Sequence, residues 1–238
     1  MSEQQSAGMS SETRRGVIRW AVREVMGSVM AGVLLFWPAG TLRWVWGWVL
    51  IAVYLAWSIT NAILFIPTNP ELLAERGARR KDAKRWDTVL MSVVGVLTLA
   101  KYIVAGLDFR NGWTGEPGIA VHIIALGVGL AGYALVTWAM ASNAYFSTIV
   151  RIQSERGHSV ASAGPYRIVR HPAYIGTILF ELATPLLLGS FWALIPGALS
   201  AVIFVVRTAL EDRTLITELP GYREFTRQTR YRLIPGIW

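Results

Sequence analysis

The sequence predicts an all-α, polytopic integral membrane protein with about six transmembrane helices, and three observations lead to this fold class. Hydrophobic residues make up 53% of the 238 residues and charged residues only 16%, whereas soluble domains carry about 25% charged residues. Apolar runs close to the roughly 20 residues that cross a bilayer recur along the chain. Tryptophan, which concentrates at membrane interfaces, occurs eleven times. The runs are too long for a soluble domain.

Six apolar runs are the predicted membrane helices. They cover residues 17–38, 44–66, 88–107, 118–140, 173–189 and 191–206. The last two are short and only Ser190 separates them, so we expect a tight helical hairpin that need not cross the bilayer completely. A cytoplasmic C-terminal helical segment follows. We therefore divide the chain into a disordered cytoplasmic tail over residues 1–16, four membrane helices over 17–141, and a third region over 142–238 that holds the hairpin and the candidate functional residues.

Lysine and arginine are distributed unevenly about the predicted membrane. Twenty of the 23 fall on the side that holds both termini, and only Arg43, Lys101 and Arg110 fall on the other. Positive residues concentrate in cytoplasmic loops, so both termini and the candidate site are predicted to be cytoplasmic, in a bacterial inner membrane. This orientation explains the net charge of +8 without nucleic acid as a partner. Anionic membrane lipids are the expected contacts of these residues.

Two kinds of site are not expected. The sequence contains no cysteine, and its three histidines, at positions 122, 158 and 171, are scattered, so no metal site is predicted. Residues 127–132 match the pattern GxGxxG, which signals nucleotide binding only where it follows a strand. Inside an apolar run, these small residues predict close packing of helices instead.

Two polar segments after residue 142 carry the candidate functional residues. The first covers residues 164–176 and reads GPYRIVRHPAYIG, and the second begins at Arg207 and reads RTALEDRTL. Pro172 suits the first turn of a helix. That start would place Arg170 and His171 at a helix N-terminus, which is a natural site for an anion.

In the second segment, Arg207 and Glu211 are four residues apart and share a helix face, with Asp212 beside them. An ordinary ion pair between Arg207 and Glu211 is the simpler alternative. Both polar segments lie on the same predicted side of the membrane. A ligand with a carboxylate, an amine, a ribose and an adenine could therefore use groups from both.

Glu181 lies in the middle of the fifth apolar run. A carboxylate there costs about 2.5–3.5 kcal/mol on insertion scales, so we expect it to face a partner or a cavity. Two interpretations remain open, a hydrogen bond to a neighbouring helix and a place on the path by which a lipid-like substrate enters.

The pattern GPYxxxRHPxY, followed by an acidic pair near the C-terminus, resembles the isoprenylcysteine carboxyl methyltransferase family and its phospholipid N-methyltransferase relatives. The resemblance covers about residues 140–238, and residues 143–176 are similar to its bacterial branch. It implies a membrane methyltransferase that uses S-adenosylmethionine and releases S-adenosylhomocysteine, with 142–238 as the catalytic region. The acceptor would be a hydrophobic or lipid-anchored small molecule that enters from the bilayer, methylated on a carboxylate rather than on an amine.

The resemblance also implies roles for single residues. The cofactor-binding residues would be Tyr166, Arg170, His171, Pro172, Tyr174, Gly176, Glu211 and Asp212. Arg207 would face the acceptor as a catalytic residue, and Glu211 and Glu181 are the further catalytic candidates. The family usually has two glutamates where this chain has Glu211 and Asp212, which leaves the role of Asp212 open.

Two other classes of function stay open at this point. One is a membrane reductase with a nicotinamide cofactor, since related helical membrane folds carry such chemistry. The other is a non-enzymatic transporter or binding protein. The predicted helices contain few charges and no matched pair of broken helices, which argues against transport.

Overall fold

The computed structural model describes residues 9–78 and 83–238, and these residues form α-helices, two short 3-10 turns and no strand. The helices, in chain order, are α1 (Ser11–Ala39), α2 (Val45–Thr68), α3 (Pro70–Gly77), α4 (Arg85–Asn111), α5 (Ile119–Ala141), α6 (Pro172–Leu187), α7 (Leu194–Glu218) and α8 (Tyr222–Gln228). The 3-10 turns, Ser154–Arg156 and Gly164–Arg167, lie between α5 and α6.

Five helices, α1, α2, α4, α5 and α7, are long and apolar enough to cross a bilayer. The sixth apolar helix, α6, has 16 residues and is shorter than a full span. The predicted all-helical, polytopic membrane fold is therefore confirmed. The predicted hairpin is wrong in one respect, because α7 has 25 residues and continues through the second polar segment to Glu218. Arg207 and Asp212 do not end this helix, since both are buried and paired with other parts of the chain.

The first helix begins earlier than predicted. Ser10 caps α1 by accepting a hydrogen bond from the backbone N–H of Thr13. The negative charge of Glu12 in the first turn interacts favourably with the helix dipole. The prediction of a disordered tail is therefore wrong for residues 11–16. Residues 1–8 of that tail, and the basic residues Arg79, Arg80 and Lys81 of the positive-charge count, lie outside the described residues.

Helix α3, which the sequence analysis did not predict, packs against the N-terminal half of α1. Its Leu72 and Leu73 are fully buried in a cluster with Trp20 and Phe65. Helix α8 and residues 142–171 lie at the same end of the bundle, where Arg151 pairs with Glu75 of α3. We call this end, with the first turns of α1, the basic side.

Helices α5 and α6 approach each other through two glycines. A Cβ on Gly176 would lie 2.3 Å from the carbonyl oxygen of Gly132, which no real side chain tolerates. Gly129 contacts Phe180 in the same interface, whereas Gly127 meets nothing within 4 Å. Two of the three glycines of the GxGxxG pattern thus serve helix packing, as predicted. Gly176 does the same, so the structure does not support its predicted contact with the cofactor.

A buried ion pair joins α4 and α6 inside the bundle. The ammonium of Lys101 lies 2.7 Å from a carboxylate oxygen of Glu181, and both side chains are almost fully buried. Beside them, the hydroxyls of Tyr54 and Tyr102 are hydrogen-bonded. The charge count placed Lys101 on the outer side of the membrane, whereas the structure places its side chain inside the bundle. Of the two interpretations of Glu181, the structure favours the contact with a neighbouring helix.

Candidate active site

A cavity of about 480 Å³ opens within the basic side of the bundle, and all eight helices contribute to its lining. Residues 143, 145–151 and 158–161, from the segment between α5 and α6, cover it. Six of the predicted site residues line this cavity: Tyr166, Arg170, His171, Tyr174, Arg207 and Glu211. The two polar segments of the sequence therefore converge on one space.

Tyr174 and Glu211 are the pair that joins the two segments most directly. The hydroxyl of Tyr174, in the first turn of α6, donates a hydrogen bond to Oε2 of Glu211 on α7. The guanidinium carbon of Arg207, one turn before Glu211, lies 5.4 Å from the centre of the Tyr174 ring. The carboxylate of Glu211 thus faces the cavity with an aromatic ring and one hydroxyl donor beside it.

Asp212 lies outside the cavity lining and is bound by four side chains. Its Oδ1 accepts hydrogen bonds from Arg170 at 2.8 Å and Tyr222 at 3.0 Å and lies 3.2 Å from Nε2 of His171. Its Oδ2 accepts from Arg170 at 2.9 Å and Arg232 at 2.7 Å. Asp212 is fully buried and does not line the cavity. The predicted direct contact with the cofactor is therefore not supported, because its oxygens are already taken by the chain itself.

These contacts also connect the start of α6 to the C-terminal segment. The backbone N–H groups of Arg170 and His171 donate to the carbonyls of Tyr231 and Arg232 at 2.9 and 3.0 Å. The guanidinium of Arg170 adds a bond of 3.0 Å to the carbonyl of Thr229. Burial alone would lower the pKa of Arg170, but the hydrogen bonds and charge of Asp212 outweigh it and raise the pKa. The arginine therefore stays charged and holds these segments together.

Tyr166 reaches the cavity from the second 3-10 turn. This turn begins at Gly164, whose φ of +55° favours glycine. A Cβ at this position would also lie only 2.2 Å from Oγ of Ser142. The Tyr166 hydroxyl accepts a hydrogen bond of 3.3 Å from the amide of Asn143. Burial raises the pKa of Tyr166 and the charge of Glu211 adds to the shift, so the phenol is protonated at neutral pH.

Arg207 is held by an acidic residue that the sequence analysis did not consider. Its Nε and Nη2 donate to the two carboxylate oxygens of Asp87, at the start of α4, over 2.6 and 3.2 Å. Its Nη2 also reaches the carbonyl of Thr148. The simpler alternative, an ion pair with Glu211, is not formed within 4 Å among the described residues. Arg207 still lines the cavity, over the ring of Tyr174.

Besides Asp212, three predicted site residues lie outside the cavity lining: Pro172, Gly176 and Glu181. Pro172 is buried at the first position of α6, where it starts the helix as predicted. Gly176 packs on Gly132, and Glu181 pairs with Lys101. A catalytic role for Glu181 finds no support in this placement.

The comparison with known families follows this geometry closely. Residues 124–217 match the model of the isoprenylcysteine carboxyl methyltransferase family, and the match spans α5, the covering segment, α6 and the cavity-facing part of α7.

Over residues 124–217, the chain is similar to the isoprenylcysteine carboxyl methyltransferase family.

Its five long apolar helices are those of an integral membrane protein. Among solved structures it is similar to a eukaryotic intramembrane Ras methyltransferase, itself an isoprenylcysteine carboxyl methyltransferase. The two are 17% identical with a TM-score of 0.54, over 90% of this chain and 75% of the other. At this identity the likeness concerns the fold. A search of curated proteins found no match.

Several residues of the candidate site were missed from the sequence. Tyr222 and Arg232, which bind Asp212, come from the C-terminal segment. Phe225 lines the cavity beside Tyr222. Burial raises the pKa of Tyr222, and the carboxylate of Asp212 raises it further, so this hydroxyl remains a donor. Its spacing of ten residues from Asp212 carries no sequence signal, since the chain turns back between α7 and α8.

The covering segment adds aromatic side chains to the candidate site. Tyr145 stacks on His158 with ring centres 4.7 Å apart, and both line the cavity with Phe146. His158 accepts a hydrogen bond of 3.2 Å from the backbone N–H of Gln153 through Nδ1. The carboxylate of Glu211 thus shares a cavity with several aromatic rings, an arrangement that suits a cationic, partly flat ligand.

Proposed function

We propose that this membrane protein is a methyltransferase that transfers the methyl group of S-adenosylmethionine to the carboxylate of a lipid-like or lipid-anchored acceptor. The single observation that carries the proposal is the contact between Tyr174 and Glu211 at the wall of a cavity lined by aromatic residues. This wall can attract the positive charges of the donor, an amino group and a sulfonium, through one carboxylate and several ring faces.

The residues present fit the donor. Glu211 would bind its amino group or ribose, and His171, Tyr174 and Tyr166 would line its pocket, because all four face the cavity. Arg170 lines the pocket too and, through Asp212, fixes the start of α6. Asp212 would act only through the residues that it binds.

The chemistry requires alignment more than proton transfer. S-adenosylmethionine supplies a methyl group on a sulfonium, which is already a good leaving group. An oxygen of the acceptor carboxylate forms the new bond to the methyl carbon while the carbon–sulfur bond breaks and its electron pair stays on sulfur. The products are a methyl ester and S-adenosylhomocysteine, and no proton moves. The cavity therefore has to orient the two partners and exclude water.

Arg207 contributes to this alignment by position. Its Nε and Nη2 donate to Asp87, and its guanidinium carbon lies 5.4 Å from the centre of the Tyr174 ring. We assign it the task of supporting the Tyr174–Glu211 wall. The acceptor itself would enter from the bilayer, where each buried CH₂ of its chain contributes about 0.8 kcal/mol to binding.

The proposal is tested with purified protein and two ligands. We expect S-adenosylhomocysteine to bind and NADPH not to bind, and radiolabelled S-adenosylmethionine to label an amphiphilic carboxylate in a membrane lipid extract. Glu211→Gln should weaken S-adenosylhomocysteine binding at least about tenfold, since a charge-assisted contact is lost.

Glu218→Gln is the matched control, because Glu218 lies on the same helix and forms an exposed ion pair with Lys84. Binding of NADPH instead of S-adenosylhomocysteine would contradict the proposal and favour a reductase. Equal loss of affinity in both variants would contradict the role of Glu211.

A further inference from the structure

Arg76 differs from three other arginines that line the cavity. Arg151, Arg170 and Arg207 are each bound by a carboxylate of the chain. Arg76, near the end of α3, forms no hydrogen bond or ion pair with any residue that the structure describes. Its guanidinium carbon lies 5.7 Å from the centre of the Phe146 ring, and both residues line the cavity.

Two charged residues of α1 lie near Arg76. Glu24 and Arg23 act on it most strongly, and Arg23 also lines the cavity. Glu24 does not line it and accepts a hydrogen bond from Ser58. Arg76 itself offers one guanidinium to the cavity, and one guanidinium compensates a ligand with a single negative charge more completely than a dianion.

Arg76 is charged at neutral pH although it is partly buried. Burial lowers its pKa to about 10; Glu24 acts to raise the pKa and Arg23 to lower it further. This value is well above 7, so the guanidinium keeps its proton. A charged donor with reduced contact to water binds an anion more strongly than one on the open surface.

The wall next to Arg76 is apolar. Phe146, Val136 and Trp57 pack in the cluster that also contains Leu72 and Leu73 of α3. Trp57 stacks on Tyr133 of α5 with ring centres 4.3 Å apart, and both line the cavity. An amphiphile could therefore place its chain along this wall and its head group beside Arg76.

We infer that Arg76 binds the carboxylate of the methyl acceptor, while the apolar chain of the acceptor lies along Phe146, Val136 and Trp57. This subsite rests on the proposed function, since it names the group that receives the methyl. It also supplies the recognition that Arg207, engaged by Asp87, does not provide. The ligand class is a long-chain monocarboxylate.

The test uses the full-length protein in nonionic detergent, with radiolabelled palmitate as the probe and palmitamide as its neutral analogue. We expect wild-type protein to bind palmitate about ten- to a hundredfold more tightly than palmitamide, the range of one charge-assisted contact. Arg76→Gln should abolish this preference by weakening palmitate alone, and Arg76→Lys should keep part of it. Lysophosphatidate, as a phosphate dianion, should compete less well than palmitate.

Arg19→Gln is the matched control. Arg19 lies one turn before Arg23 on α1 and is exposed, so its loss removes the same charge without touching the cavity. An unchanged preference in Arg76→Gln, an equal loss in Arg19→Gln, or tighter binding of lysophosphatidate would overturn the inference.

Binding of S-adenosylhomocysteine is measured in parallel and separates the two proposals. Arg76→Gln should leave this affinity and the unfolding temperature unchanged. Wild-type protein that prefers palmitate but does not bind S-adenosylhomocysteine would contradict the proposed donor and support the subsite. The reverse result would overturn the subsite and leave the donor in place.

Discussion

Asp212 holds the start of α6 and the C-terminal segment against α7. Its fully buried carboxylate is bound by Arg170, Arg232, Tyr222 and His171. Removing one partner of a buried ion pair leaves the others uncompensated in a medium that solvates them poorly. We therefore expect Asp212 to contribute to the stability of the fold rather than directly to the chemistry.

Asp212→Asn should lower the free energy of unfolding by about 3 kcal/mol, because Arg170 would lose its buried counter-charge. Unfolding of the purified protein in detergent measures the change. Glu218→Gln removes a carboxylate from an exposed ion pair and should change the same quantity by less than about 1 kcal/mol. An Asp212→Asn protein as stable as wild type would show that the buried contacts contribute little.

We expect the stability of the covering segment to depend on pH through His158. Burial lowers the pKa of His158, and the charges of Arg151 and Arg156 lower it further, against the opposite effect of Glu155. Neutral His158 accepts a hydrogen bond from Gln153, which the protonated ring cannot do. Because the folded pKa lies below the unfolded value of about 6.5, this stabilisation is complete above that pH and is lost as the pH falls through the folded pKa.

Hydrogen exchange of residues 143–161, corrected for the chemical exchange rate, should therefore report more opening at pH 5 than at pH 7.5. His158→Asn keeps an acceptor oxygen but does not titrate, so its opening should not change with pH. The same pH dependence in both proteins would assign the effect to another group.

Helices α5 and α6 carry the site only because their backbones can approach closely. Gly176→Ala would push a methyl group against the Gly132 carbonyl and should cost about 1–3 kcal/mol of stability, as overpacking does. Gly127→Ala, on the other face of α5, meets nothing within 4 Å and should be neutral. Thermal unfolding of the two variants compares them directly. A neutral Gly176→Ala would mean that the helices separate without penalty.

The Lys101–Glu181 pair joins α4 to α6 and is expected to be structural. Glu181→Gln should destabilise the protein by about 3–5 kcal/mol, since it leaves a buried lysine without a counter-charge. Adding Lys101→Met should restore at least half of the loss, with methyl transfer close to wild type. If the stable double variant lost methyl transfer, the catalytic role first predicted for Glu181 would be supported after all.

For the whole molecule, orientation in the membrane remains a prediction from the distribution of basic residues. The chain has no cysteine, so single cysteines can report it. Gln228→Cys, at the end of α8, should react with an impermeant maleimide only after cells are permeabilised, and Glu116→Cys, between α4 and α5, should react in intact cells. The opposite pattern would place the cavity on the outer side.

The sequence predicted those features that depend on local composition. Hydropathy located the spans, and the motif around His171 together with Glu211 identified the two segments that meet, because such motifs are short and contiguous. The pairs Arg207–Asp87 and Lys101–Glu181 could not be predicted, since their partners are 120 and 80 residues apart. Polar residues in membrane helices indicate that a partner exists, but only the packing of the helices decides which one it is.

The ties between Arg170 and residues 229–232 have a consequence for biosynthesis. Ribosomes deliver α6 to the membrane well before the segment that fixes its beginning. During that interval Arg232 is absent and Asp212 lacks one of its cations. A nascent chain therefore cannot complete the cavity that we propose for the donor until residues 229–232 have been made.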